Sequence, residues 1–192
     1  MSAPEDRFSH KVHADALVWA REWNTRVTPL LLLRLLLLQP GFQLAFSIRV
    51  QAVLTTVPVV GLLLRRLLWY VTTVWTGADV DPCAVRQIGA GVHFPHPAGV
   101  VIGGQCSIGR NVQILQGVTL GRSEASIVGG PGLEDGVRVY AGAKLIGDIR
   151  VGQGAVVGAN AVVLKDVPPG WTAVGVPARN LPPRRPGLAN VS

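Results

Sequence analysis

The sequence predicts a mainly β protein, a parallel β-helix preceded by a short N-terminal helical segment. Two observations support this fold class. Leucine-rich apolar stretches fill much of the first 76 residues, and a six-residue period runs from Ile88 to Pro168 with one large interruption. In these repeats the first position is Ile, Val, Leu or Phe, and the fifth is Val, Ile, Ala or Cys. Neither the helix period of about 3.6 nor the strand period of about 2 produces this pattern, which is typical of a parallel β-helix.

Composition divides the chain into three segments. Residues 1–76 are predicted to form a helical cap, residues 77–180 the hexapeptide-repeat domain, and residues 181–192 a flexible tail. Within the cap, Thr28 followed by Pro29 predicts the start of a helix. Each coil of a β-helix stacks only on its neighbours, so its ends must be covered. We expect the helical segment to cover one end of the coil.

Two apolar stretches in the cap, residues 30–38 and 50–64, are too short or too interrupted to span a membrane, which takes about 20 apolar residues. Arg34 interrupts the first, and Pro58 weakens the second. They are expected either to pack on the body of the protein or to lie on a membrane surface. The first 28 residues are polar and do not resemble a signal peptide. We therefore expect a cytoplasmic protein, either free or in peripheral contact with the inner face of the membrane.

The formal net charge of +7 is spread along the chain, with no Lys or Arg run longer than two. A spread excess of this kind argues against a nucleic-acid partner and suits a phosphate-bearing cofactor or an anionic membrane surface. The two cysteines, Cys83 and Cys106, lack the spacing of a disulfide framework or a metal site. We predict two buried thiols in a reducing compartment and no bound metal.

The candidate catalytic group is His96, which lies between Pro95 and Pro97 at a corner of the repeat. Histidine has an ordinary pKa near neutrality, and proline restricts the backbone on both sides of it. Asp79 precedes His96 by nearly one coil of three repeats. Asp79 therefore either orients the imidazole, as a carboxylate does for a general base, or caps the first coil. The other histidine of the repeat region, His93, is expected at the surface.

A loop at residues 122–132 interrupts the repeats, and loops on a rigid scaffold commonly carry binding groups. Basic residues late in the chain either meet the phosphates of a cofactor or face solvent: Lys144, Lys165, Arg179 and the pair Arg184-Arg185.

Six segments resemble the hexapeptide-repeat acyltransferases, in their serine acetyltransferase-like branch. They are QPGFQLAFSIR (39–49), TGADVDP (76–82), PHPAGVVIG (95–103), ILQGVTLG (114–121), VYAGAKLIGDIRVG (139–152) and VGANAVVLKDVPPGWTAVGVPAR (157–179). The resemblance implies a left-handed parallel β-helix and a homotrimer. It also implies acetyl-CoA as co-substrate, lying along the coil edge between neighbouring subunits.

The same resemblance assigns roles to individual residues. His96 matches the general base of the family, and Asp79 matches the carboxylate from the preceding coil that pairs with it. Backbone groups near three small residues match those that receive the pantetheine arm, and two basic residues suit the phosphates. The predicted cofactor-binding set is Ala141, Gly142, Ala159, Lys165 and Arg179.

Three departures from the family pattern concern the acceptor. Pro95 stands in place of an aspartate, residues 129–131 (Gly-Gly-Pro) in place of Arg-His-Pro, and Gln39 in place of another aspartate. The charged side chains expected to hold the ammonium and carboxylate of serine are thus absent. A substrate whose charged groups are left without partners in a closed site is rejected. We therefore predict an acetyl-CoA-dependent O-acetyltransferase acting on a sugar or glycan hydroxyl of a surface polysaccharide precursor, with Arg122 and Glu124 binding the substrate.

Two alternatives stay open at this point. The first is a serine O-acetyltransferase of cysteine biosynthesis, with a small-molecule acceptor. The second is a non-catalytic β-helix trimer. Consumption of acetyl-CoA in the presence of candidate acceptors would separate the enzyme from the non-catalytic trimer.

Overall fold

A computed structural model describes residues 7–81, 84, 87–103, 105–124 and 129–183. Helices occupy the first part of the chain: α1 Phe8–Glu22, α2 Pro29–Leu38, α3 Pro40–Leu54 and α4 Val60–Thr76. Short strands follow: β1 Asp79–Val80, β2 Val101–Ile102, β3 Ser107–Ile108, β4 Gln113–Ile114, β5 Thr119–Gly121, β6 Gly132–Leu133, β7 Arg138–Val139, β8 Lys144–Ile146, β9 Arg150–Val151, β10 Val156–Val157, β11 Val162–Val163, β12 Thr172–Val174 and β13 Arg179–Leu181.

The strands form three sheets, each built from successive turns of the chain. The first face has the order β1-β2-β5-β8-β11, the second face β3-β6-β9, and the third face β13-β12-β10-β7-β4. Strands within a face run parallel, except that β13 returns antiparallel to β12. Neighbours are one coil of three repeats apart, so that Ile102 aligns with Leu120 and Leu133 with Val151. This winding is that of a parallel β-helix.

The core of the coil consists of the aliphatic side chains at the first and fifth positions of the repeats. Because these side chains point inward from every face, the stacked coils remove them from water, which is the main favourable term in folding. Ala98 is the exception, since it holds a fifth position but is exposed. Two additional residues, Val100 and Val101, follow this repeat, and Val100 is fully buried in place of Ala98. The fully buried members of the first position include Phe94, Ile114, Leu120, Val139, Leu145, Val151 and Val157.

The helices cover the first coil. Thr28 Oγ1 accepts a hydrogen bond from the N–H of Leu31 at 3.1 Å, which confirms the predicted start of α2. Helix α3 is the main contact with the coil, because Leu44 and Ile48 join the core of the repeats. At Gly41 the backbone of α3 comes so close to the coil that a Cβ there would overlap the carbonyl oxygen of Phe94.

Helices α2 and α4 keep much of their apolar surface exposed. Among the described residues no single helix is long and apolar enough to cross a membrane, and α2 and α3, which reach that length together, are bent by 100°. The large apolar side chains of α2 and α4 that face outward include Leu30, Leu33, Leu37, Leu38, Leu63, Leu67, Val74 and Trp75.

The end of the chain differs slightly from the predicted segments. Leu181 was assigned to the tail, but it is the last residue of β13. Residues 184–192, with the Arg184-Arg185 pair, and Cys83 lie outside the described residues.

Candidate active site

One edge of the coil, between the third and first faces, is a column of stacked corners. At each corner a backbone N–H donates a hydrogen bond to a carbonyl of the preceding turn: Gly99 to Gly77 at 2.7 Å, Gly117 to Ala98 at 2.9 Å, Gly142 to Gln116 at 2.8 Å and Asn160 to Ala141 at 2.9 Å. We call this column the corner edge. It is continuous from the helical cap to the last coil, so a long ligand can follow it.

His96 lies at the top of the corner edge. The ring of Phe94 is buried within the coil, Pro97 is buried, and Pro95 is half-buried, whereas His96 itself is exposed. The backbone on either side is therefore fixed by packing and by the proline rings, which restrict φ. This arrangement presents the imidazole to solvent from a rigid corner.

Asp79 lies beside the same corner, on the first face. Its N–H donates to the carbonyl of Val100 at 2.8 Å, and its exposed carboxylate accepts a hydrogen bond from Trp69 Nε1 at 3.1 Å. Among the described residues no hydrogen bond joins Asp79 to His96. The two side chains thus flank one corner, and their direct pairing stays a prediction.

Three of the predicted cofactor-binding residues lie together on the corner edge. Ala141, Gly142 and Ala159 belong to its last two corners. Gly142 has a φ of +75°, and a Cβ there would overlap the side-chain amide of Asn160. A side chain at this corner would therefore displace Asn160 of the next corner.

The two basic residues predicted to meet the cofactor lie at different corners. Arg179 is exposed and follows Ala178, whose N–H donates to the carbonyl of Val162 at 2.8 Å, so it lies beside the start of β11 and near the corner edge. Lys165 is exposed beyond the other end of β11. The structure brings Arg179 to the edge and leaves Lys165 at the neighbouring corner.

The predicted substrate residues Arg122 and Glu124 are exposed at the start of the loop, directly after β5, and residues 125–128 lie outside the described residues. Burial raises the pKa of Cys106 to about 11, and the charges of Asp81 and Arg122 act on it in opposite directions. Cys106 is therefore a buried neutral thiol, as predicted, and Arg122 lies on the same side of the coil as Asp81.

A cavity of about 530 Å³ opens between α4 and the first face, beside Asp79. One wall comes from α4 and consists of Leu62, Arg65, Arg66 and Trp69. The coil provides the other wall, which includes Asp79, Asp81 and Val101. The cavity thus carries guanidinium groups on one side and carboxylates on the other.

Sequence reasoning missed the two arginines of this cavity. The predicted helical cap over residues 1–76 did not show which of its side chains would face the coil, and only the packing of α4 brings the arginines to the cavity. The spacing 62, 65, 66 and 69 is i, i+3, i+4 and i+7, which places residues on one helix face. That spacing was the available signal.

The prediction that His93 lies at the surface was wrong, because its side chain is buried. Helix α1 covers it, with the Trp19 ring edge-on at 4.7 Å between ring centroids. Burial, and to a lesser degree the charge of His96, lowers the pKa of His93 to about 4. Although the carboxylate of Glu22 lies 3.3 Å from Nε2, burial dominates and the imidazole is neutral at pH 7.

The described part of the chain contains no candidate metal site. Across the described ranges, no group of three or more His, Cys, Asp or Glu side chains is arranged to hold a metal ion.

Six-residue repeats wound under a helical cap, with a histidine presented at an open corner edge, are the features expected of the hexapeptide-repeat acyltransferase class. Solved structures agree with this class. A soybean serine acetyltransferase complexed with serine has a TM-score of 0.79 and 37% identity, over 93% of this chain and 70% of that one. A serine acetyltransferase in complex with CoA has a TM-score of 0.77 and 36% identity, over 91% and 70%. The chain belongs to the serine acetyltransferase family.

Curated sequences show the same likeness over a shorter span. A serine acetyltransferase of Mycobacterium tuberculosis is 47% identical over 120 residues, which is 61% of this chain and 51% of that protein. The chain thus spans about half the length of this curated relative. No family model matches the chain.

These relatives overturn the prediction of a sugar or glycan acceptor. The sequence and structural neighbours are serine acetyltransferases, and one of them holds serine. The prediction was wrong because it gave decisive weight to the uncharged residues Pro95, Gly130 and Gln39, at positions where the family has charged ones. The cavity beside Asp79 shows charged side chains of both signs arriving from α4 and the first face.

Proposed function

We propose that the protein is an acetyl-CoA-dependent serine O-acetyltransferase. The observation that carries the proposal is the likeness to a serine-bound serine acetyltransferase over 93% of this chain. The position of His96 at an open corner and of Asp79 on the wall of a charged cavity supports it.

His96 is the proposed general base. Its imidazole accepts the proton of the serine hydroxyl as the oxygen attacks the thioester carbonyl carbon of acetyl-CoA. The C–S bond then breaks, and the departing thiolate takes a proton from the imidazolium to leave CoA and O-acetylserine. A positioned general base contributes about 10²- to 10⁴-fold, and holding both substrates at one corner supplies a further part of the rate.

Asp79 is the proposed partner of that imidazole. A carboxylate beside the ring stabilises the imidazolium that forms when the proton is taken up. In the free protein its carboxylate accepts from Trp69 Nε1 instead. The indole can hold the carboxylate in place beside the corner until substrate binds.

Acetyl-CoA is proposed to lie along the corner edge. The backbone groups of Ala141, Gly142 and Ala159 would receive the pantetheine arm, and Arg179, exposed near the same edge, would meet a phosphate of the cofactor. Lys165 stays a proposed contact with the same phosphates from the neighbouring corner. The relative in complex with CoA supports this cofactor.

A homotrimer with a left-handed coil is part of the same proposal. The corner edge is open to solvent in the single chain, with His96 exposed at one end and Ala159 at the other. A neighbouring coil set against this edge would close the groove over the thioester and exclude water, which strengthens the electrostatic interactions inside it.

The protein is further proposed to be cytoplasmic, in peripheral contact with anionic lipid. No Asp or Glu occurs between Glu22 and Asp79, whereas Arg34 accompanies the exposed leucines of α2, and α4 adds further exposed leucines. Apolar area together with positive charge is the composition that binds an anionic membrane surface. We expect the protein to cosediment with phosphatidylglycerol vesicles and not with phosphatidylcholine vesicles. If the same amount of protein sedimented without vesicles, the proposal would be contradicted.

The acceptor is tested with the purified chain by following free thiol released from acetyl-CoA. L-Serine is expected to give thiol and O-acetylserine, identified by mass spectrometry. Hexoses, amino sugars and nucleotide sugars serve as the comparison panel. A kcat/KM for L-serine no higher than for every member of that panel would overturn the proposal.

A further inference from the structure

The charged cavity beside Asp79 has a wall that the catalytic proposal does not use. Leu62, Arg65, Arg66 and Trp69 of α4 share one helix face, which looks across the cavity at the first face of the coil. We propose that Arg65 and Arg66 form the subsite that binds the α-carboxylate of the acceptor amino acid. This inference rests on the proposed function and names the residues that give it specificity.

Neither guanidinium is used by another acceptor in the described part of the chain. Arg65 and Arg66 form no hydrogen bond and no ion pair with any described residue. The guanidinium carbon of Arg66 lies 4.7 Å from the centre of the Trp69 ring, which holds the planar group on an aromatic face. A guanidinium held flat in this way keeps its N–H donors directed sideways, the geometry that binds a carboxylate at two points.

The aromatic ring connects this subsite to Asp79. Trp69 carries Arg66 on its face and donates through Nε1 to Asp79 at 3.1 Å. The carboxylate-binding group and the proposed partner of His96 are therefore positioned by one indole. A ligand bound to Arg66 would lie in the cavity that Asp79 also lines.

The opposite wall supplies the complementary charge. Asp81 lines the cavity together with Asp79, the proposed partner of His96, so a zwitterion would place its carboxylate toward α4 and its ammonium toward Asp81. A volume of about 530 Å³ falls within the ordinary range of small-molecule sites.

The loop after β5 explains why such a subsite is needed. Residues 129–131 are Gly-Gly-Pro, which have no charged side chain for a carboxylate. An unpaired substrate carboxylate would be costly in a closed site. The helix α4 supplies the missing cations from the other side of the cavity.

The test uses steady-state kinetics of the full chain and its Arg65→Gln and Arg66→Gln variants. We expect the KM for L-serine to rise roughly 10- to 100-fold in each variant, because a hydrogen bond to a charged group is lost. The kcat and the KM for acetyl-CoA should stay within about twofold. Calorimetric titration with L-serine should show the same loss of binding without any turnover.

Arg34→Gln is the matched control. Arg34 lies 5.2 Å from the centre of the Trp23 ring, so it has the same kind of contact, but on α2 and outside the Asp79 cavity. Its KM for L-serine should equal that of the wild type. Ethanolamine, which lacks the carboxylate, is the second control: its kcat/KM should be the same in the wild type and in both cavity variants.

Failure of this inference is distinguishable from failure of the proposed function. If the wild type acetylates L-serine and both glutamine variants keep its KM, the subsite is wrong and the function stands. An Arg122→Gln variant with the raised KM would then place the carboxylate at the loop. If the wild type neither binds nor acetylates L-serine, both proposals are overturned. Thermal unfolding shows whether each variant is folded. If Arg66→Gln does not fold, Arg66→Lys, which keeps the charge, takes its place.

Discussion

Arg49 and Asp15 form a two-point ion pair in the interior, between the helices and the coil. Arg49 Nε donates to Asp15 Oδ2 at 2.9 Å and Nη2 donates to Oδ1 at 3.0 Å, with both side chains at most 2% exposed. The same guanidinium donates to the carbonyls of Ile88 and Gly89, and Asp15 Oδ1 accepts from the N–H of Gly91. The pair therefore joins α1 and α3 to the first repeat.

Replacing Asp15 by Asn should destabilise the protein strongly. The guanidinium of Arg49 would stay buried without its counter-charge, and breaking a buried pair costs about 3–5 kcal/mol. Urea unfolding measures the change in the free energy of unfolding. The exposed Asp148→Asn variant is the control and should differ from the wild type by less than about 0.5 kcal/mol. Equal stability of the two variants would show that the pair does not hold the cap to the coil.

The buried His93 should make folding sensitive to mild acid. Its pKa is lowered to about 4 in the folded protein, from an ordinary value of 6.5, so the unfolded chain binds more protons between these values. The free energy of unfolding should therefore be fully present above pH 6.5 and fall as the pH drops toward 4, by on the order of 2 kcal/mol between pH 7 and pH 5.

The His93→Gln variant tests this assignment, because it removes the titrating group while keeping a polar side chain. Its stability should change less than that of the wild type over the same pH range. His13→Gln, at an exposed position on α1, should keep the wild-type pH profile. A wild-type profile in the His93 variant would assign the acid sensitivity to other groups.

Gly41→Ala should lower both stability and activity. The new methyl group would overlap the carbonyl oxygen of Phe94, two residues before His96. Overpacking of this kind costs about 1–3 kcal/mol, and displacement of the corner should reduce kcat by about 10-fold or more. The control is Gly121→Ala, where the nearest atoms lie 4.0 Å from an added Cβ. Normal activity in the Gly41 variant would mean that the contact of α3 does not position the corner.

His96→Ala should reduce turnover of L-serine by at least about 10²-fold, because the general base is removed. Its thermal unfolding should match that of the wild type, since the side chain is exposed and contributes little packing. His13→Ala is the control for loss of an exposed histidine. Activity within about threefold of the wild type would remove His96 from the mechanism.

The assembly is tested by light scattering coupled to size-exclusion chromatography. The expected mass is that of three 20.3 kDa chains. An active monomer would contradict the proposal that a neighbouring coil closes the corner edge.

The periodic part of the protein could be predicted from the sequence, and for a physical reason. Each repeat contacts only the repeats beside it, so the pattern of aliphatic residues at positions such as Ile102 and Leu120 is enough to define strand, corner and stacking. The exposed corner position of His96 could be predicted too, since proline on both sides marks a corner; its catalytic role stays a prediction. The helix start at Thr28 followed from local capping chemistry.

How the helices of the cap pack on the coil could not be predicted from the sequence and was decided only by the tertiary structure. His93 was expected outside because its repeat position points outward, but α1 packs over it and brings Trp19 against the ring. Arg65 and Arg66 face Asp79 only because α4 is a helix that returns along the first face. No local pattern encodes how a helix docks on a coil, and those docking contacts decide which charges meet beside the candidate active site.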